Sequence, residues 1–479
     1  MPGHKGISLL GFEKYDITEI TGADELYVAD GIIGESEKNA ADLFKSHMTL
    51  YSTEGSSQCI RAMLQLVMCG SDVKHTIYKP KQSADNVTSL HKSAGTMTAA
   101  AKPYSPYILA ARNAHKAFIY GLALTGLEAE WLYPENASNS LCSCPISAAQ
   151  VDSFLSEAAT LPLAVYITSP DYLGNIADIK GISEVCHRYG LPLMVDNAHG
   201  AYLKFLSPGR HPLDLGADIC CDSAHKTLPV ITGGAYLHIA SSLNITKADA
   251  KAAMALYGST SPSYLIMASL DNCNKYLAEG YHERLEKTIS MVNETKKKLT
   301  DNNWIVEATD EPMKITIRLP RLAETIDKTS NTTNTHGSDR QAYSDIEMPK
   351  QPAQILRMNS IEYEYADEDY IVLMPSTETT EADFARLVDA LGINTMVCSE
   401  PYKLYLTKSE NMISIRDAIF SPAESIPVSE ALGRICATPT VSCPPAIPIA
   451  VSGEIITEDM LKIFKHYGIE EIRVIKKEN

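Results

Sequence analysis

A chain of 479 residues with a formal net charge of −17 is a poor partner for nucleic acid, whose phosphates are met by clustered Lys and Arg. Its hydrophobic fraction of 45% and charged fraction of 21% exclude a disordered or fibrous chain, and the length predicts two or three domains. The eleven cysteines are scattered apart from Cys142/Cys144 and Cys220/Cys221, a pattern that forms neither a disulfide framework nor paired metal-ligand spacing, so a cytoplasmic setting and no metal are expected. There is also no long apolar run and no basic-then-apolar N-terminus, so neither a membrane span nor a secretory signal is expected.

In chain order, the first legible element is a polar turn, Ser52 to Ser57, feeding a helix over Gln58 to Met68 with apolar residues at helical spacing. Lys74 to Pro106, rich in Ser, Thr, Ala and Lys, reads as an insertion before the apolar run Tyr107 to Arg112. Strand-like Leu163 to Thr168, helical Ile179 to Tyr189 and strand-like Leu191 to Val195 and Ala217 to Cys221 then alternate. Such alternation predicts an α/β large domain over 1–270, its mostly parallel sheet covered by helices on both faces.

Asp271 to Asn302 is predicted as one long helical stretch bridging to a smaller α+β domain, 271–399. That domain would hold strands at Ile315 to Leu319 and Ile371 to Met374 and a helix at Glu381 to Leu391, with a polar surface insertion over 327–352 that cannot support a core. The remainder, 400–479, reads as an appended C-terminal α+β domain containing Pro444-Pro445-Ala446-Ile447-Pro448 and a strand at Ile472 to Ile475.

The chemistry concentrates near Lys226, set among Ser223, Ala224, His225 and Thr227 just after a strand, where residues at strand carboxyl ends face a ligand crevice. A lysine there can hold pyridoxal phosphate as a Schiff base, and Asp196, closing the preceding strand, can keep the pyridine nitrogen protonated. Gly55-Ser56-Ser57 ahead of a helix offers backbone donors, hydroxyls and the positive helix end to a phosphate, with Ser223 and His225 as further contacts. His115, ending an apolar run, could stack on the ring, and His199 could orient the cofactor or assist proton transfer.

Taken together, these residues resemble the fold-type I, pyridoxal-phosphate-dependent Orn/Lys/Arg decarboxylases, in their shorter bacterial, arginine-decarboxylase-like form. The resemblance is carried by Pro2-Gly3-His4-Lys5-Gly6, Asp16-Ile17-Thr18-Glu19, Ala111-Arg112-Asn113-Ala114-His115-Lys116 and Thr168-Ser169-Pro170-Asp171-Tyr172-Leu173-Gly174. It continues through Asp196-Asn197-Ala198-His199-Gly200, Ser223-Ala224-His225-Lys226, Ser259-Thr260-Ser261-Pro262-Ser263-Tyr264, and the proline-rich segment with Gly453-Glu454. It implies that Lys226 carries the cofactor, Asp196 pairs with its nitrogen, His115 stacks on it, and Gly55, Ser56, Ser57, Ser223 and His225 bind its phosphate. It further implies that Ser259 and Thr260 come from a partner subunit, so that a homodimer is the smallest active unit.

By the same resemblance the reaction is decarboxylation of a basic amino acid, arginine first, then lysine or ornithine, in polyamine metabolism. Asp171 and Glu454 are the candidate acidic partners for the substrate's basic group. Two other readings are open to the residues: a different pyridoxal-phosphate reaction, such as an aminotransferase or aldolase-like lyase, and an inactive, regulatory decarboxylase-like subunit. The sequence departs from the family at its start, where relatives carry a helical segment before Pro2-Gly3-His4-Lys5, and at Glu54, the Lys74 to Pro106 insertion and Ala446. These departures are expected to weaken pairing or cofactor affinity.

Overall fold

The apolar runs of the first half of the chain become the central strands of one sheet because they are short and buried on both faces. In the computed structural model, described over residues 1–70, 105–135, 140–319, 351–395, 403, 408–439 and 448–477, these strands are β1 (Met48–Ser52), β2 (Tyr107–Ala111), β3 (Glu128–Leu132), β4 (Val165–Thr168), β5 (Leu193–Asp196), β6 (Ile219–Asp222) and β7 (Ala235–Ile239). Their spatial order is β1-β7-β6-β5-β4-β2-β3. Strands β2 to β6 pair in parallel, and β7 runs antiparallel between β1 and β6.

Alternation along the strands sends neighbouring side chains into different cores. Ile108, Ala110, Tyr166, Met194, Ile219 and Cys221 pack against α2 (Ser56–Gly70) and α3 (Lys116–Thr125), whereas α1 (Ile32–Phe44) belongs to a third cluster. On the other face Leu109, Val165, Ile167, Leu193, Val195 and Cys220 pack against α4 (Ala148–Glu157) and α5 (Ile179–Arg188), and also against Ile449, Ile456 and Val474 from the end of the chain. The C-terminal segment thereby shares the large sheet's core. A one-turn helix α6 (Ala224–Thr227) follows β6, and α7 (Lys247–Leu256) lies beside α2.

The expected single helix over Asp271 to Asn302 is instead two, α8 (Tyr264–Ala278) and α9 (Tyr281–Asp301). The break falls at Gly280, whose φ of +67° suits glycine and interrupts the helical hydrogen-bond ladder. Beyond it, β8 (Ile305–Val306), β9 (Ile315–Arg318), β10 (Tyr365–Ala366) and β11 (Tyr370–Leu373) form an antiparallel sheet in the order β10-β11-β9-β8. Helices α10 (Pro352–Met358) and α11 (Glu381–Leu391) accompany that sheet, so Pro352, placed at the end of the polar insertion, begins a helix at its favoured first position.

In the last part, α12 (Ile415–Phe420) precedes the hairpin-like pair β12 (Ala423–Pro427) and β13 (Glu471–Ile475), with α13 (Glu458–His466) between them in sequence. The expected insertions at 74–106 and 327–352 lie outside the described residues apart from Ser105, Pro106, Gln351 and Pro352, as do Pro444 to Ile447. Among the described residues no helix is long and apolar enough to cross a membrane.

Candidate active site

Parallel strands carry their carboxyl ends to one edge, and six of the predicted residues meet there because each lies at or just past a strand's end. Asp196 is the last residue of β5 and pairs in register with Thr168 of β4 and Cys221 of β6. Lys226 lies in α6, just past β6, and His115 caps α3, just past β2. With Ser56 and His199 these three residues share the walls of one pocket, to which Asn113, Asp171 and Tyr172 also contribute.

The Lys226 Nζ and His199 Nε2 are hydrogen-bonded at 2.9 Å. Burial pulls the Lys226 ammonium below its ordinary range, with the Asp196 carboxylate partly opposing the shift. Burial, and then the charge of Lys226, pushes His199 well below its usual value, so it is neutral at physiological pH. The His199 ring meets Tyr172 edge-on, centroids 4.8 Å apart, and its Nδ1 has no hydrogen-bond partner among the described residues.

Asp196 is buried and accepts from Tyr166 Oη at 3.1 Å and from the Ala198 amide at 3.2 Å. Burial holds the Tyr166 hydroxyl well above its ordinary value, so it stays a donor that steadies the carboxylate. Beneath lies a fully buried polar layer: Asn197 Nδ2 donates to Asp222 Oδ1 at 2.7 Å, while His211 and His238 hold Asp222 Oδ2 at 3.0 and 3.2 Å. Burial alone would raise Asp222, but its two histidine partners outweigh it and hold the carboxyl below the carboxylate range.

The predicted phosphate residues also converge. Gly55, at φ +70°, donates its amide to Gly233 O at 2.7 Å and turns the chain into α2, whose first-turn amides lack intrahelical acceptors. Ser56 and Ser223 hydroxyls lie 2.8 Å apart, and His225 Nδ1 donates to Gly234 O at 2.9 Å, leaving Nε2 as the ring's other polar atom. Ser57 is half-buried in the same turn. His115 spends Nδ1 accepting from the Ala117 amide at 3.1 Å, which fixes its ring, and burial lowers its pKa.

Ser259 and Thr260 are exposed and lie off this pocket within the single chain. The two carboxylates named for the substrate's basic group are committed elsewhere. Asp171 lines the pocket, but its oxygens accept from the amides of Gly174 and Asn175, both at 2.9 Å, and from Asn175 Nδ2 at 2.7 Å. Glu454 lies off the pocket, held in two-point contact by Arg112 at 2.7 and 2.8 Å. The structure thus leaves Asp171 on the pocket wall, engaged with its own turn, and places Glu454 away from it.

Several members of the site were not singled out from the sequence. Tyr166 sat inside an apolar strand with nothing to mark its hydroxyl. Glu364 belongs to an acidic run that reads as solvated surface, yet it accepts a hydrogen bond from Tyr172 Oη at the pocket wall. Tyr172 and Arg112 did stand in the motifs quoted above, so their presence was visible although their partners were not.

A family profile described as "Orn/Lys/Arg decarboxylase, major domain" matches residues 73–318, and one described as "Orn/Lys/Arg decarboxylase, C-terminal domain" matches 403–470. An arginine decarboxylase of Bacillus subtilis is 27% identical over 94% of this chain and 84% of its own length. One from Bacillus anthracis is 26% identical over 97% and 85%. Among solved structures, a lysine decarboxylase of Francisella novicida shares the fold with a TM-score of 0.71 at 17% identity, covering 99% of this chain and 78% of that one. The constitutive lysine decarboxylase of E. coli gives 0.71 at 15%, over 99% and 79%.

The residues present fit the family's cofactor. A buried carboxylate, a lysine of depressed pKa, His199 Nδ1 and Asn113 Oδ1, neither with a partner among the described residues, and a glycine-led helix start offer the donors and acceptors that pyridoxal phosphate needs. With two family profiles matched in order and this constellation at the strand ends, the chain belongs to the Orn/Lys/Arg decarboxylase family and is a pyridoxal-phosphate-dependent decarboxylase of basic amino acids.

Proposed function

We propose that this protein removes the α-carboxyl group of arginine, giving agmatine and carbon dioxide, with lysine and ornithine next in preference, as a step in polyamine formation in the cytoplasm. The observation that carries the reading is Glu364. Its carboxylate is exposed and reaches the pocket wall through Tyr172 Oη, where a guanidinium or ammonium entering from solvent could join it by a charge-assisted hydrogen bond. The names of the Bacillus relatives support arginine as the first choice.

Bound pyridoxal phosphate supplies the electron sink that makes loss of carbon dioxide from an α-amino acid possible. Lys226 would hold it covalently, Asp196 would keep its ring nitrogen protonated, and His115 would lie against the ring. The Gly55-Ser56-Ser57 turn, Ser223 and His225 would hold the phosphate. Neutral His199 hydrogen-bonds Lys226 Nζ and so aims that amine. When the carboxyl leaves, the α-carbon must gain one proton, and Lys226 or His199 is placed to deliver it.

A homodimer is the proposed active unit, with Ser259 and Thr260 reaching the partner's site. The N-terminal arm supports pairing with a second copy: Ile7, Leu9 and Leu10 are 64%, 82% and 76% exposed, an apolar strip costly to leave in water. The test is to incubate the purified protein with arginine, lysine and ornithine and to measure carbon dioxide and the amine product. Release from arginine at the highest kcat/KM is expected. No release from any of the three, by protein whose Lys226 is labelled after borohydride reduction, would overturn the reading.

A further inference from the structure

The Arg112–Glu454 pair joins residues 342 positions apart. Arg112 directly follows β2, and its amide extends the β2–β3 pairing by donating to Leu132 O at 3.0 Å. Its neighbours Asn113 and His115 line the cofactor pocket. The guanidinium turns the other way, passes the rings of Trp131 and Tyr133 at 5.1 and 5.4 Å, and ends on both oxygens of Glu454. Each side chain is only 1% exposed.

Glu454 is itself rigid. Its Oε2 accepts from the Val451 amide at 2.8 Å, its own amide donates to Val451 O at 3.1 Å, and its carbonyl accepts from the Cys436 amide at 2.8 Å. The preceding Gly453 has φ +92°, and a Cβ there would lie 2.4 Å from Ile413 O, so the chain can take this path only as glycine. A buried ion pair of this kind adds little stability over a well-packed apolar pair. What a two-point guanidinium–carboxylate fork adds is fixed direction.

We propose that Arg112 and Glu454 are positioning residues, through which the C-terminal segment sets the turn that presents Asn113 and His115 to the cofactor. This rests on pyridoxal phosphate occupying the pocket and not on which amino acid is consumed. The turn is otherwise tied by the β2–β3 ladder and by the Cys144 side chain, which meets the backbone of Arg112 and Asn113. A displacement of about 1 Å at reacting groups can cost on the order of a hundred-fold in rate.

The test uses holoenzyme carrying Glu454→Gln, Arg112→Lys, or the double change Arg112→Met with Glu454→Leu, which fills the same space without charge. The readouts are melting temperature, the visible circular dichroism of the bound cofactor, and kcat against KM. All three are expected to show an altered cofactor dichroism and a kcat about ten- to a hundred-fold lower with KM little changed, while the double variant melts no lower than the parent. A double variant that folds with parental dichroism and kcat would overturn the proposal. If the charge-breaking or double variants fail to fold, Arg112→Lys decides: it keeps the charge but loses the fork, and parental dichroism there overturns the proposal equally. A parent that is labelled at Lys226 but releases no carbon dioxide would sink the decarboxylation reading alone, because the dichroism comparison does not depend on turnover.

Discussion

Lys226 Nζ lies 2.9 Å from His199 Nε2 inside a pocket that lowers the pKa of both groups. The contact aims the amine while burial keeps it from being held as a fully solvated ammonium. Replacing His199 with Asn should leave the cofactor bound at Lys226 but lower kcat by about a hundred- to ten-thousand-fold, the usual worth of a positioned acid–base group. Borohydride labelling together with steady-state kinetics checks this: labelling intact and kcat unchanged would mean that His199 has no part in aiming or proton transfer.

Glu364 is the carboxylate that accepts from Tyr172, a residue of the pocket wall. Glu364→Gln preserves shape and a hydrogen bond to Tyr172 but removes the charge, and a charged hydrogen bond contributes about 1.5–3 kcal/mol. The expected result is kcat/KM for the basic amino acid lower by about ten- to a hundred-fold, with the dichroism of the bound cofactor unchanged. An unaltered kcat/KM would place the substrate's cationic end elsewhere.

Burial depresses the pKa of His115, His199 and His238. In the unfolded chain these histidines protonate near 6.5, whereas in the folded protein they resist it, so the unfolded state binds more protons as pH falls. Stability is therefore full above about pH 6.5 and is lost progressively below it. Melting temperature measured from pH 8 to pH 5 should fall across that window. A His238→Gln variant should show a shallower decline than the parent, and a parallel one would remove His238 from the account.

Glu311 gives the opposite sign. It is fully buried, one oxygen accepts from the Met313 amide at 3.3 Å and the other has no partner among the described residues, and burial raises its pKa to about 7. The unfolded carboxyl ionises near 4.5, so between pH 4.5 and 7 the unfolded state gains charge that the folded state refuses, and stability drops as pH rises. Glu311→Gln mimics the protonated form. It should stabilise the protein by roughly 2–3 kcal/mol at pH 8 and by little near pH 4.5, as read from denaturant unfolding at the two pH values.

The large sheet was legible because its strands are short apolar runs punctuated by polar turns, and the ends of such runs are where Lys226, Asp196 and His115 fall. The helix over Glu381–Leu391 was equally plain, since Thr380 and Asp383 form a capping box around an amphipathic face. What stayed hidden were pairings across long sequence distance. Nothing local distinguishes Glu364 from the other carboxylates of its acidic run, or shows that Glu454 is already taken by Arg112. The break at Gly280 was missed because the flanking residues on both sides keep helical spacing, and only the backbone torsion separates them.

That torsion has a larger reach than its size suggests. Helices α8 and α9 carry the chain from the seven-stranded sheet to the antiparallel one, and Gly280 is the joint where their axes part. Glu364 directly precedes β10 of that antiparallel sheet, so the carboxylate that meets Tyr172 is carried by the part of the chain reached through this joint.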